Sequence, residues 1–151
     1  IHTKARDRVL GLIEDAVAGG ARVVTGGESV GSTGAYLQPT LLRDVAPDAR
    51  CLTEEIFGPL APVTTFETVD EAIERANSTI FGLISYLQTG DVGTGLTLAK
   101  ALESGMVGVN RGIISDPAAP FGGWKQSGLG REGAHEGLLE FLESKYICAT
   151  W

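Results

Sequence analysis

The sequence predicts an α/β fold, a mostly parallel sheet with flanking helices. Three observations carry this expectation. Apolar strand-like runs alternate with capped amphipathic segments in β-α-β-α-β order between residues 60 and 110. Strands joined through helical crossovers come out parallel, with right-handed connections. The runs Gly82–Gln88 and Met106–Asn110 are nearly continuous in apolar residues, as strands covered on both faces are. Glycine supplies 21 of the 151 residues, about twice the usual share, so many tight turns or close backbone approaches are expected.

From the start of the chain, Val9, Leu12, Ile13, Ala16 and Val17 fall at helical spacing, and Gly19-Gly20 stops them. That pattern predicts an amphipathic helix over roughly residues 4–18. Arg22–Thr25 reads as a short strand, followed by a glycine- and serine-rich turn through Gly34. Tyr36–Leu42 reads as a second strand, and Pro39, which has no N–H for a ladder, suggests an edge position. Leu60–Phe66 is the next strand. Thr68 and Glu71 have the spacing of a capping box, in which hydroxyl and carboxylate each accept an orphan N–H. Val69, Ala72, Ile73 and Ala76 would form the buried stripe of that helix. Asp91 caps a helix expected to run to Ser104, with Gly105 as its stop. Residues 111–130 make a loop too long for a mere connector, and such loops are usually functional. A last helix is expected over roughly 131–143, with Leu138, Phe141 and Leu142 inward. Lys145–Thr150 closes the chain as a strand. The whole reads as one domain with a tail strand.

Charge and composition exclude several partners. Lys plus Arg is 12 and Asp plus Glu is 19, a net charge of −7, which argues against nucleic acid or an anionic membrane. No apolar run approaches the roughly 18 residues of a spanning helix. The opening Ile1-His2-Thr3-Lys4 has neither initiator Met nor signal-peptide pattern, and the chain reads as a piece of something longer. Cys51 and Cys148 make no disulfide framework, so reduced thiols in a cytoplasmic setting are expected. No metal site is expected, because His2 and His135 do not pair with a Cys at ligand spacing.

Two motifs need weighing. Gly128-Leu129-Gly130-Arg131-Glu132-Gly133 matches a dinucleotide-binding fingerprint. That fingerprint needs a preceding strand and an acid about 20 residues on. Gly122–Ser127 does not read as a strand, and the chain ends too soon for the acid, so a glycine-rich approach to a helix is the better reading. Thr53-Glu54-Glu55-Ile56-Phe57-Gly58-Pro59 places two carboxylates, a ring and a Gly-Pro turn just before a strand. A carboxylate can accept from two ribose hydroxyls and a ring can pack on a flat heterocycle. From these residue types alone the plainer reading is a solvated turn at Glu54 and Glu55 with Phe57 in the core. No nucleophilic constellation emerges: Cys51 has no nearby His, Cys148 lies in an apolar run, and His135 reads as a partly exposed helix residue.

Four collinear blocks now carry a resemblance. Glu54-Glu55-Ile56-Phe57-Gly58-Pro59, Asn77-Ser78-Thr79-Ile80-Phe81-Gly82-Leu83, Gly105-Met106-Val107-Gly108-Val109-Asn110 and the stretch from Pro120 to Glu132 resemble successive motifs of the aldehyde dehydrogenase superfamily, across essentially the whole chain. Gly112-Ile113-Ile114-Ser115 followed by Ala119-Pro120-Phe121 resembles its succinate-semialdehyde branch. The resemblance implies that residues 1–143 are the distal part of a catalytic domain and that 144–151 form an oligomerisation strand. It implies NAD or NADP as cofactor and a small aldehyde as substrate. By motif position Glu55 would hold the nicotinamide ribose and Phe57 would lie against the nicotinamide. Ser115 would contact a substrate carboxylate, and Phe121 would wall the aldehyde tunnel. The parent mechanism would be thiolate attack on the aldehyde, hydride transfer, then hydrolysis of the thioester. Its nucleophilic cysteine, general-base glutamate and nucleotide-binding domain precede the stretch that resembles this chain, so no catalytic residue is assigned here and the isolated chain is expected to be inactive. Phe81 stands where the family usually has Tyr, Trp124 replaces a smaller residue, and Arg111 replaces a small or polar one. The alternatives are a dehydrogenase for another aliphatic or aromatic aldehyde, or a non-catalytic module that associates through its last strand.

Overall fold

In the computed structural model, which describes residues 2–151, the first element is helix α1 (Thr3–Ala18). The start of the chain at Ile1 lies outside the described residues. His2 caps the helix, its Nδ1 accepting from the Ala5 N–H at 3.0 Å. Val9, Leu12, Ile13 and Ala16 are buried, but Val17, expected among them, is exposed in the last turn. The chain forms two compact units, Ile1–Phe66 and Glu67–Trp151.

In the first unit, β1 (Arg22–Thr25), β2 (Thr40–Arg43) and β3 (Leu60–Pro62) form a sheet in the order β1-β2-β3. The β1–β2 pair is antiparallel and the β2–β3 pair parallel. The strand after Pro39 is therefore central, not an edge. Pro39 is tolerated because it stands just before the ladder, whose first donor is the Thr40 N–H to the Pro59 carbonyl, 2.8 Å. The α1 stripe packs with Ala21, Leu42, Val45, Ala49, Cys51 and Leu60 in one core. Complete burial of a leucine such as Leu12 or Leu42 contributes about 1.5–3 kcal/mol. A one-turn helix, α2 (Arg50–Thr53), delivers Cys51 to that core.

The second unit comprises α3 (Val69–Asn77), β4 (Phe81–Gly82), β5 (Ile84–Leu87), α4 (Val92–Ala101), β6 (Met106–Val109), β7 (Trp124–Lys125) and α5 (Ala134–Leu139). Strands β5 and β6 pair in parallel from Ile84 opposite Met106 to Leu87 opposite Val109, with α4 between them in sequence. This is the β-α-β unit the alternation predicts. β4 pairs antiparallel with β7, so Gly122–Ser127 does contain a short strand. The mostly parallel sheet is otherwise corrected: among the described residues, three small sheets hold two parallel and two antiparallel pairings. Strand β3 pairs with β2, not with the strands that follow it. Sequence order limits which strands are neighbours without deciding it.

The caps behave as their spacing predicts. Thr68 Oγ1 accepts from the Glu71 N–H at 3.2 Å, and the Glu71 carboxylate accepts from the Glu67 N–H at 2.8 Å. Asp91 accepts from the Thr94 N–H at 2.6 Å. Helix α4 stops at Ala101, before the expected Ser104, because Asn77 closes it. The Asn77 side-chain amide donates to the Ala101 carbonyl and its oxygen accepts from the Glu103 N–H, each at 2.8 Å.

Burial is where apolar pattern and structure part. In Gly82–Gln88 only Gly82 is buried, with Leu83 and Tyr86 exposed, and Met106–Asn110 is mostly half-buried. Val69 and Ala76 are exposed, and Ala72 and Ile73 half-buried. Helix α5 is shorter than 131–143, and Leu138, Phe141 and Leu142 face outward, Phe141 with 88% of its surface open. Residues 144–151 form no strand within the chain, and Tyr146 and Ile147 are exposed. An apolar run records which side chains would gain by burial, while burial itself requires a covering element.

Candidate cofactor loop and substrate cavity

Helix α2 ends at Thr53 and the chain turns extended at Glu54. Arg50 grips Glu54 with two nitrogens, at 2.7 and 3.2 Å, and this hydrogen bond holds the Glu54 carboxyl below the usual carboxylate range. Glu54 is therefore occupied. The neighbouring Glu55 carboxylate is exposed and makes no hydrogen bond or ion pair among the described residues. Its main-chain carbonyl is held instead: Arg8 of α1 donates to the Glu55 oxygen at 2.7 Å and to the Ile56 oxygen with its other terminal nitrogen.

The alternative in which Phe57 belongs to the core is ruled out. Ile56 turns inward against the core cluster, whereas Phe57 is 80% exposed with φ +41°. A non-glycine residue in the left-handed region persists where its surroundings hold it. On the far side Gly58 lies against α1, since a Cβ there would sit 2.7 Å from Val9 Cγ2. The loop thus displays an unpaired carboxylate and an open aromatic face two residues apart. Those groups fit a ribose diol and a flat heterocycle.

The second pair of sequence-predicted residues, Ser115 and Phe121, belongs to the second unit. At the end of β6 the Asn110 side chain donates to the Thr89 carbonyl and accepts from the Thr89 N–H, both at 2.8 Å. This clamp accompanies φ +54° at Asn110, where the chain leaves the sheet for the long loop. Asp116 braces the loop by accepting from the Ala118 N–H at 2.9 Å. Phe121 exchanges main-chain hydrogen bonds with Glu132 at 2.8 and 2.7 Å. Ser115 and Phe121 then line one cavity of about 260 Å³. The same lining includes Asp116 and Glu132 and no Lys or Arg. Sequence reading missed Asp116, although it adjoins Ser115, and missed Arg8, which is 47 positions from Glu55.

Other candidates keep their plain readings or lose their setting. Gly128, Gly130 and Gly133 all have positive φ and lead into α5. His135 is exposed on that helix. Both cysteines are free. Burial in the core pushes the Cys51 thiol up, while Cys148 is exposed and not in the expected strand. Phe81 and Trp124 lie on the paired strands β4 and β7, and Arg111 is exposed in the loop. Among the described residues no group of three His, Cys, Asp or Glu could hold a metal ion, and no helix is long and apolar enough to cross a membrane.

Comparison with known proteins bears on the whole chain. It is 52% identical over 147 residues to the succinate-semialdehyde dehydrogenase of Paenarthrobacter nicotinovorans, covering 97% of this chain and 33% of that protein. It is 48% identical over 136 residues to the 3-sulfolactaldehyde dehydrogenase of Pseudomonas putida, covering 90% of this chain and 28% of that one. The crystal structure of an E. coli NADP-dependent enzyme superposes with a TM-score of 0.95 at 46% identity, covering all of this chain and 31% of that chain. The 151 residues thus span about a third of the length of such relatives. The sequence pattern of the aldehyde dehydrogenase family matches residues 1–147. With its loop 54–59, its Ser115–Phe121 cavity and a match over nearly every residue, the chain belongs to the aldehyde dehydrogenase family.

Proposed function

We propose that the chain is the distal catalytic-domain portion of an NAD(P)-dependent aldehyde dehydrogenase that oxidises succinate semialdehyde to the carboxylate. The observation that carries this reading is the division of labour on the loop: Glu54 is neutralised by Arg50 while Glu55 stays unpaired beside an open Phe57 ring. Glu55 would hold the ribose of a nicotinamide cofactor by accepting from its hydroxyls and Phe57 would pack beside its ring, the cofactor supplying the hydride acceptor. Ser115 donates to the distal carboxylate of the substrate, and Phe121 bounds the tunnel. Relatives in this family use NAD or NADP, and the present residues suit either, since a 2′-hydroxyl reader is not among them.

The 151 residues alone are proposed to be inactive, with Cys51 buried and Cys148 exposed, neither hydrogen-bonded to a base among the described residues. Free thiols suit a reducing, cytoplasmic compartment. The exposed Tyr146 and Ile147 and the unpaired main chain of 144–151 suit a strand completed by another copy of the protein. A second reading rests on Asp116 and Glu132. A cavity lined by two carboxylates and no cation disfavours an anionic substrate, so an uncharged aldehyde is the competing choice.

The test is Glu55→Gln in the full-length enzyme. Misplacing a reacting group by a small distance costs about 10²-fold, so turnover should fall by that order with the thermal midpoint unchanged. A large fall in midpoint with unchanged turnover would make Glu55 structural.

A further inference from the structure

We infer that Arg8 is a positioning residue for the cofactor loop, presenting Glu55 and Phe57 by holding the Glu55 and Ile56 carbonyls. The inference rests on the proposal that these two residues meet the nicotinamide end of the cofactor. Arg8 makes no ion pair among the described residues. Its fork is spent on two successive carbonyls, Glu55 at 2.7 Å and Ile56 beside it. Phe57, whose φ is +41°, follows directly on the two bonded carbonyls, so the guanidinium fixes the peptide units from which the Phe57 backbone departs.

The next residue of α1 completes the grip. Val9 is buried in the core and its Cγ2 closes the space beside Gly58, leaving no room for a side chain there. Arg8 therefore fixes the side of the loop that carries Glu55, and Val9 backs the side that carries Gly58. Arg8 also adds positive charge near Glu54, favouring its ionised form together with Arg50. Lysine cannot reproduce the contact, because its ammonium is a point donor without the planar fork.

The experiment compares Arg8→Met and Arg8→Lys in the full-length enzyme. It reads amide hydrogen exchange at residues 55–58, kcat, the Michaelis constants for both substrates, and the thermal midpoint. For Arg8→Met we expect exchange in this segment to quicken by about tenfold or more, as local opening becomes easier. We expect kcat to fall roughly 10- to 100-fold through misplacement, with the aldehyde Michaelis constant unchanged. Arg8→Lys should restore only part of each effect. Unchanged exchange at 55–58 would overturn the role of Arg8 whatever the loop does. Faster exchange with unchanged kcat would overturn the cofactor reading of the loop, and this inference with it. If Arg8→Met lowers the midpoint too far to assay, Arg8→Lys carries the test by the same two readouts.

Discussion

Gly105 and Gly122 lie backbone against backbone: a Cβ built on Gly105 would come within 2.1 Å of the Gly122 carbonyl oxygen. The Gly105 N–H also donates to the Gly82 carbonyl at 2.9 Å. Three of the four sequence blocks meet here main chain to main chain, and their glycines are the condition for that approach. Overpacking such a site costs about 1–3 kcal/mol, and here the obstacle is backbone that cannot rotate away. Gly105→Ala should lower the unfolding free energy by that amount, and the denaturation midpoint with it. Gly112→Ala, where nothing lies within 4 Å, should leave it nearly unchanged. Equal midpoints for the two variants, read by urea denaturation, would remove this account of the contact.

Acid should destabilise the helix starts and the loop 54–59 together. Asp91 is lowered chiefly by its bond to the Thr94 N–H, Glu71 by the Glu67 N–H, and Glu54 by Arg50. Each carboxyl binds its proton less readily when folded than when unfolded. The stability they contribute is therefore complete above the ordinary carboxylate range and is lost as pH falls through the lowered folded values, from about pH 5 downward. Asp91→Asn keeps a capping oxygen without the titration, so the denaturation midpoint should fall less steeply with acid in that variant. An identical acid limb would show that the Asp91 cap does not couple to pH.

In the proposed reading, substrate choice rests on Ser115. A hydrogen bond to a charged group contributes roughly 1.5–3 kcal/mol. Ser115→Ala in the full-length enzyme should then raise the Michaelis constant for succinate semialdehyde about 10- to 100-fold, by the tenfold per 1.4 kcal/mol relation. An uncharged aldehyde of similar length should be barely affected. Equal effects on both substrates would favour the uncharged reading that Asp116 and Glu132 support.

The sequence by itself determined what depends on residues a few positions apart. The caps at Thr68 and Asp91, the α1 stripe from Val9 to Ala16 and the β5-α4-β6 unit all follow from spacings of three or four residues or from strand–helix alternation. The loop 54–59 was legible as a candidate for the same reason, because its carboxylates, ring and turn are contiguous. The pairing of β3 with β2, the exposure of Phe141 and the unpaired tail at 144–151 were decided only by the fold. So was the grip of Arg8 on the Glu55 carbonyl. The physical reason is common to all of them. A hydrogen-bonding group or an apolar side chain specifies the kind of partner it needs, and several segments of the chain can supply that kind. Which one does so depends on chain separated by tens of residues, brought close only when the core forms.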